Sequence, residues 1–135
     1  MIDPLFLSLE EVLELHTDQI RLFGGTPGIR DRGALESAIA VPAATFGGEF
    51  LHTGLFEMAA AYAFHIAENQ PFLDGNKRAG LNACLVFLML NGWEVVDLEG
   101  ALCDAMLAFA AGSLDKLGFA GLLESLATEI DTTVL

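Results

Sequence analysis

Between Ala79 and Leu90 the chain leaves almost no polar face: Leu81, Cys84, Leu85, Val86, Phe87, Leu88, Met89 and Leu90 crowd the run. A helix that is apolar all round must be buried. Gly80, Asn82 and the shortness of the run keep it from crossing a bilayer. The rest of the chain therefore has to cover this segment. Its helix is expected from about Asn76, after a break at Gln70–Gly75 that holds Pro71, to Leu90, with Asn91-Gly92 as the stop.

The covering elements are amphipathic helices. Ser8-Leu9-Glu10-Glu11 has the pattern of a capping box. Leu9, Val12, Leu13, Ile20 and Phe23 then recur at roughly helical spacing until Gly24-Gly25. Asp31 caps a second helix running to about Val41, where Pro42 stops it. The paired glycines in Thr45-Phe46-Gly47-Gly48-Glu49-Phe50 predict a bent loop or short hairpin flap. A third helix spans Leu55–Asn69, Trp93–Leu98 reads as a short extended segment, and further helices are expected at Glu99–Ala111 and about Phe119–Glu129. The expectation is an all-α, compact bundle of about six helices around a buried central helix, residues 1–135 forming one domain.

The charge balance narrows the function. Six basic residues stand against 19 acidic ones, a formal net charge of −13. Such a surface repels nucleic acid and anionic membrane, so neither is expected as a partner, whereas a basic protein segment is accommodated. Cys84 and Cys103 have no metal-binding spacing and read as buried small hydrophobes in a reducing compartment. The start of the chain lacks a basic, then apolar, leader pattern. A cytoplasmic protein is expected.

Chemistry concentrates in Asn69-Gln70-Pro71-Phe72-Leu73-Asp74-Gly75-Asn76-Lys77-Arg78-Ala79. The segment leads into a helix N-terminus, whose unpaired N–H groups suit an anion. Gly75 permits positive φ or close approach of a ligand. Lys77 and Arg78 sit at the wrong end of a helix for its dipole, a local cost that a phosphate would offset. Asp74 can cap the helix or hold Mg²⁺, Asn76 offers an amide to a phosphate oxygen, and Phe72 reads as a core anchor. Taken singly, each residue fits an ordinary cap, turn or solvated edge; taken together they favour an anion site.

Pro71-Phe72-Leu73-Asp74-Gly75-Asn76-Lys77-Arg78 resembles the Fic motif, His-Pro-Phe-x-Asp-Gly-Asn-Lys-Arg, in the form carried by the death-on-curing (Doc) branch of the Fic/Doc family. The runs Phe23–Asp31 and Ala44–Gly48 resemble that branch too. The resemblance implies an all-helical fold with this loop between two central helices. It implies a toxin held by a co-encoded antitoxin, moving the γ-phosphate of ATP to a threonine of elongation factor Tu and so halting translation. Asp74 would coordinate Mg²⁺; Gly75, Asn76, Lys77 and Arg78 would grip phosphates; the flap at Phe46, Gly47 and Gly48 would dock the target. Lys77 stands where AMP-transferring members usually have Gly, and Leu81 where they usually have a second Arg.

The motif histidine falls on Gln70. An amide has no titratable group near neutral pH and can orient a hydroxyl but not take its proton. General-base contributions are typically about 10²–10⁴-fold, so binding is expected to survive and turnover to be reduced or lost unless another base serves. Three readings stay open: a phosphotransferase, a silent nucleotide- or protein-binding module, and an AMP transferase. His65 is expected to point away from the loop, His16 has no motif around it, and His52 lies near the flap. Ser125–Glu129 and Thr45–Glu49 match only the first part of the family's Ser/Thr-x-x-x-Glu-Gly/Asn silencing motif and read as ordinary helix and loop.

Overall fold

The computed structural model describes residues 3–130. Among these, the order is α1 (Leu9–Phe23), α2 (Arg32–Ala40), a single 3₁₀ turn (Val41–Ala43), β1 (Thr45–Phe46), β2 (Glu49–Phe50), α3 (Leu55–Asn69), α4 (Asn76–Leu90), β3 (Trp93–Val95), α5 (Ala101–Ala110), α6 (Lys116–Leu126) and β4 (Ala127–Glu129). The capping box forms: Ser8 Oγ accepts from Glu11 N–H at 3.1 Å, and Glu11 Oε1 accepts from Ser8 N–H at 2.9 Å. Asp31 and Asp115 cap α2 and α6 through their side chains. Gly47 (φ 61°) and Gly48 (φ 84°) supply the two positive φ values that a tight hairpin turn needs. β1 and β2 accordingly pair antiparallel, Thr45 opposite Phe50 and Phe46 opposite Glu49.

Two elements differ from the expectation. The last helix stops at Leu126, and Ala127–Glu129 turns into a strand that pairs antiparallel with β3, Trp93 opposite Glu129 and Val95 opposite Ala127. Periodicity could not show this, because three residues are too few to carry an alternation. The hub is also α3 rather than α4. Met58, Ala59, Ala60, Ala61, Tyr62, Ala63 and Ile66 of α3 are buried, and the helix packs on α2, α4, α5 and α6. Its alanines let neighbours approach on every side, whereas Met89 and Leu90 at the end of α4 stay exposed. Gly80 fixes the crossing of the two helices: a Cβ there would lie 2.7 Å from the Ala63 carbonyl oxygen.

The core gathers Tyr62, Phe87, Phe119, Leu35, Ile66, Leu88, Leu123 and Val12. Tyr62 keeps its hydroxyl satisfied by accepting from Leu7 N–H at 2.9 Å, and burial pushes its pKa up to about 12. Cys84 is buried, as expected; Cys103 is not. It lies on the solvent side of α5, where Leu107 is also exposed. No helix among the described residues is long and apolar enough to cross a membrane.

Candidate functional site

The loop between α3 and α4 is held from beneath and from one side. Gln70 ends α3 in the left-handed region (φ 48°, ψ 55°), and Pro71 cannot continue a helix. Arg30 then covers the open carbonyls: its Nε donates to Gln70 O at 2.6 Å and its Nη2 to Asn69 O at 2.8 Å. The backbone N–H groups of Arg30 and Asp31 both donate to Pro71 O, at 2.7 and 3.0 Å. Leu73 N–H donates to Gly28 O at 3.1 Å, and Ile29 bridges Phe72 in antiparallel fashion. The segment after α1 thus lies along the loop as a short ladder.

Phe72 is buried, with its ring stacked on His16 at 3.7 Å between centroids and nearly parallel. His16 Nε2 donates to Asp74 O at 2.9 Å; a carbonyl only accepts, so the ring carries its proton on that nitrogen. Gln19, one turn further along α1, donates from Nε2 to Gly75 O at 2.9 Å and accepts at Oε1 from Asn82 Nδ2 at 3.2 Å. His16 and Gln19 are the buried polar residues among those described. They share the inward stripe of Val12, at helical spacings of four and seven residues.

Asp74 does not cap the helix. Its Oδ1 accepts from Gly75 N–H at 2.9 Å and its Oδ2 from Thr26 N–H at 3.0 Å. The cap is Gly75, at φ 75° and ψ 28°, and it offers no side chain. A Cβ at Gly75 would collide with Gln19 Nε2, so glycine is required for space as well as for φ. Asn76 closes the loop on itself: its Oδ1 accepts from Phe72 N–H at 2.9 Å and its Nδ2 donates to Phe72 O at 3.1 Å. One N–H of that side-chain amide is used inside the loop and the second is left over.

The first intrahelical bond of α4 runs from Ala79 N–H to Gly75 O. The N–H groups of Asn76, Lys77 and Arg78 have no partner among the described residues. They form an uncapped helix N-terminus, which attracts anions. A cleft of about 370 Å³ opens beside it, lined by Glu68, Gln70, Asp74, Gly75 and Lys77 together with the rings of Phe64 and Phe109. That volume falls in the range of about 300–1,000 Å³ usual for small-molecule sites. Lys77 forms no ion pair among the described residues, although the chain is strongly acidic.

Not every residue singled out from the sequence meets at this cleft. Arg78 lies with its guanidinium 4.6 Å over the Phe23 ring, outside the lining. Phe46, Gly47 and Gly48 form an exposed hairpin that is likewise outside it. His52 and His65 converge on Lys116 Nζ, at 3.4 and 3.2 Å from their Nε2 atoms. Burial, followed by the Lys116 charge, lowers both pKa values, that of His65 to about 4. Sequence reasoning missed His16, Gln19, Thr26 and Arg30. The legible signal was a polar pair on the apolar stripe of α1; for Thr26 and Arg30, which act across the loop ladder, none was available.

Comparison with known proteins gives the family. The model of the Fic/DOC family matches residues 6–88. The chain is 37% identical over 120 residues to a protein of Escherichia phage P1 named protein kinase doc, covering 89% of this chain and 94% of that one. It is 39% identical over 90 residues to toxin Doc of Mycolicibacterium smegmatis, covering 67% of each.

Proposed function

The chain belongs to the Fic/DOC family, and from that membership we propose that it is a Doc-type toxin that transfers the γ-phosphate of ATP to a hydroxyl of a translation factor. The observation that carries the reading is the uncapped start of α4: three N–H groups and a Lys77 ammonium without partners among the described residues, beside a cleft of about 370 Å³. Phosphoryl transfer depends mostly on positioning and charge stabilisation, and a rigid cradle of fixed dipoles supplies both. The N–H groups of Asn76, Lys77 and Arg78 bind phosphate oxygens, and the Lys77 ammonium offsets their charge. The Arg78 guanidinium joins them by leaving the Phe23 ring. The Asn76 side chain serves by holding the loop closed. Phe72 anchors the loop from below.

Asp74 suits Mg²⁺: its carboxylate is exposed, and each oxygen, engaged by one N–H, keeps a lone pair. Mg²⁺ held there with phosphate oxygens would neutralise charge on the transferred group. The hairpin at Phe46–Gly48 docks the target segment, and elongation factor Tu is the target that the family resemblance suggests. A separate antitoxin restrains the protein, and its docking segment carries basic residues to match the acidic surface.

The test is incubation of the purified chain with elongation factor Tu, Mg²⁺ and ATP labelled at the γ or the α position. Label from γ-labelled ATP alone supports the phosphotransferase. Label from α-labelled ATP makes it an AMP transferase, and absence of label from either ATP with both the native chain and Gln70→His overturns catalysis. Gln70 favours one second reading, a silent module that binds nucleotide without turnover; label in Gln70→His alone would select it.

A further inference from the structure

Building on the phosphotransferase reading, we infer that Glu68 takes the proton from the accepting hydroxyl, the task that Gln70 cannot perform. In that reaction the hydroxyl oxygen forms a bond to the γ-phosphorus and the bond to the β–γ bridging oxygen breaks. ADP leaves, and the hydroxyl proton passes to an acceptor.

The acceptors can be taken one by one. His16 is stacked under Phe72 and donates to Asp74 O. His52 and His65 face Lys116. Asp74 has one lone pair of each oxygen engaged by a backbone N–H and is the residue assigned above to Mg²⁺. Lys77 is a cation, and the Gln70 amide is not a base. Of the titratable groups that line the cleft, Glu68 remains. It is exposed, two residues before Gln70 on the last turn of α3, and its carboxylate has no hydrogen bond or ion pair among the described residues.

A second feature points the same way. An anion in the last turn of a helix opposes the macrodipole, as do cations in the first turn. Glu68 at the end of α3 and Lys77 at the start of α4 are both misplaced in this sense, and both line one cleft. Lys77 meets the phosphates; Glu68 faces the same space with the opposite charge and accepts the proton.

The experiment measures γ-phosphate transfer to elongation factor Tu by four full-length proteins: native, Glu68→Gln, Gln70→His and the double variant, each checked for an unchanged melting curve. Glu68→Gln is expected to lower kcat of the native chain by about 10²–10⁴-fold, with KM for ATP unchanged or lower because a negative charge is gone. In the Gln70→His background the same substitution is expected to change kcat by less than about threefold, since the imidazole then takes the proton. Glu68→Asp should keep measurable transfer. Native-like kcat in Glu68→Gln overturns the assignment, as does a silent native chain beside an active Gln70→His. If neither the native chain nor Gln70→His transfers phosphate, the phosphotransferase reading itself fails, and the assignment with it.

Discussion

Replacing Gly75 by alanine tests whether the cradle is as tightly determined as its geometry indicates. Gly75 sits at φ 75°, where an L-residue costs roughly 1–2 kcal/mol. The added Cβ also collides with Gln19 Nε2 and breaks its bond to Gly75 O, a further loss of about 0.5–1.5 kcal/mol. The expected cost of Gly75→Ala is therefore about 1.5–3.5 kcal/mol, read as a fall in the urea midpoint at constant slope. Gln19→Ala alone removes one of the two hydrogen bonds to Gly75 O, which keeps that from Ala79 N–H, and also the bond to Asn82, each worth about 0.5–1.5 kcal/mol. In the double variant the collision is gone and the lost hydrogen bond is counted once. Its cost should fall short of the sum of the singles by about 1 kcal/mol, well outside the roughly 0.3–0.5 kcal/mol of ordinary additivity. Additive costs, or a Gly75→Ala protein as stable as the native one, would refute the argument that space and φ together demand glycine.

Other consequences are more quickly tested. Lys77→Met should raise the Kd of a non-hydrolysable ATP analogue by roughly 10–150-fold, the equivalent of one charged hydrogen bond of about 1.5–3 kcal/mol; calorimetry showing unchanged affinity would remove Lys77 from the phosphate site. His52 and His65 are both lowered from an unfolded value of 6.5, so their neutral forms favour the folded state fully above pH 6.5. That contribution is lost as pH falls from 6.5 towards about 4, and the urea midpoint should drop across this window by less in His65→Phe than in the native chain. One thiol, the exposed Cys103, should react with a disulfide reagent in the native protein, while burial keeps Cys84 protonated and out of reach until urea is added; two fast-reacting thiols would contradict the described core.

What could be read from the chain beforehand follows a physical division. Local signals were faithful where the cause was local: Ser8 with Glu11, Asp31 before its helix, and Gly47-Gly48 between Phe46 and Glu49 each carry their own geometry. The loop residues were visible as a group because charge at the wrong end of a helix needs no tertiary knowledge to be noticed. The supports were not visible, because Arg30 and Thr26 act across 40 and 48 residues of sequence, on backbone atoms rather than on recognisable partners. Backbone support also explains how the loop accommodates glutamine at position 70. The backbone of Gln70 is held by Arg30 on its carbonyl and by Ile66 O on its N–H. The exposed side chain carries none of that support. Pro71 and Phe72 are buried, Gly75 has no room for a Cβ, and Asn76 closes the loop. Exchange of histidine for glutamine therefore removes a proton acceptor and leaves the cradle standing. Loss of chemistry and loss of fold are separable at this position, which makes Gln70→His a fair probe of the site instead of a repair of the scaffold.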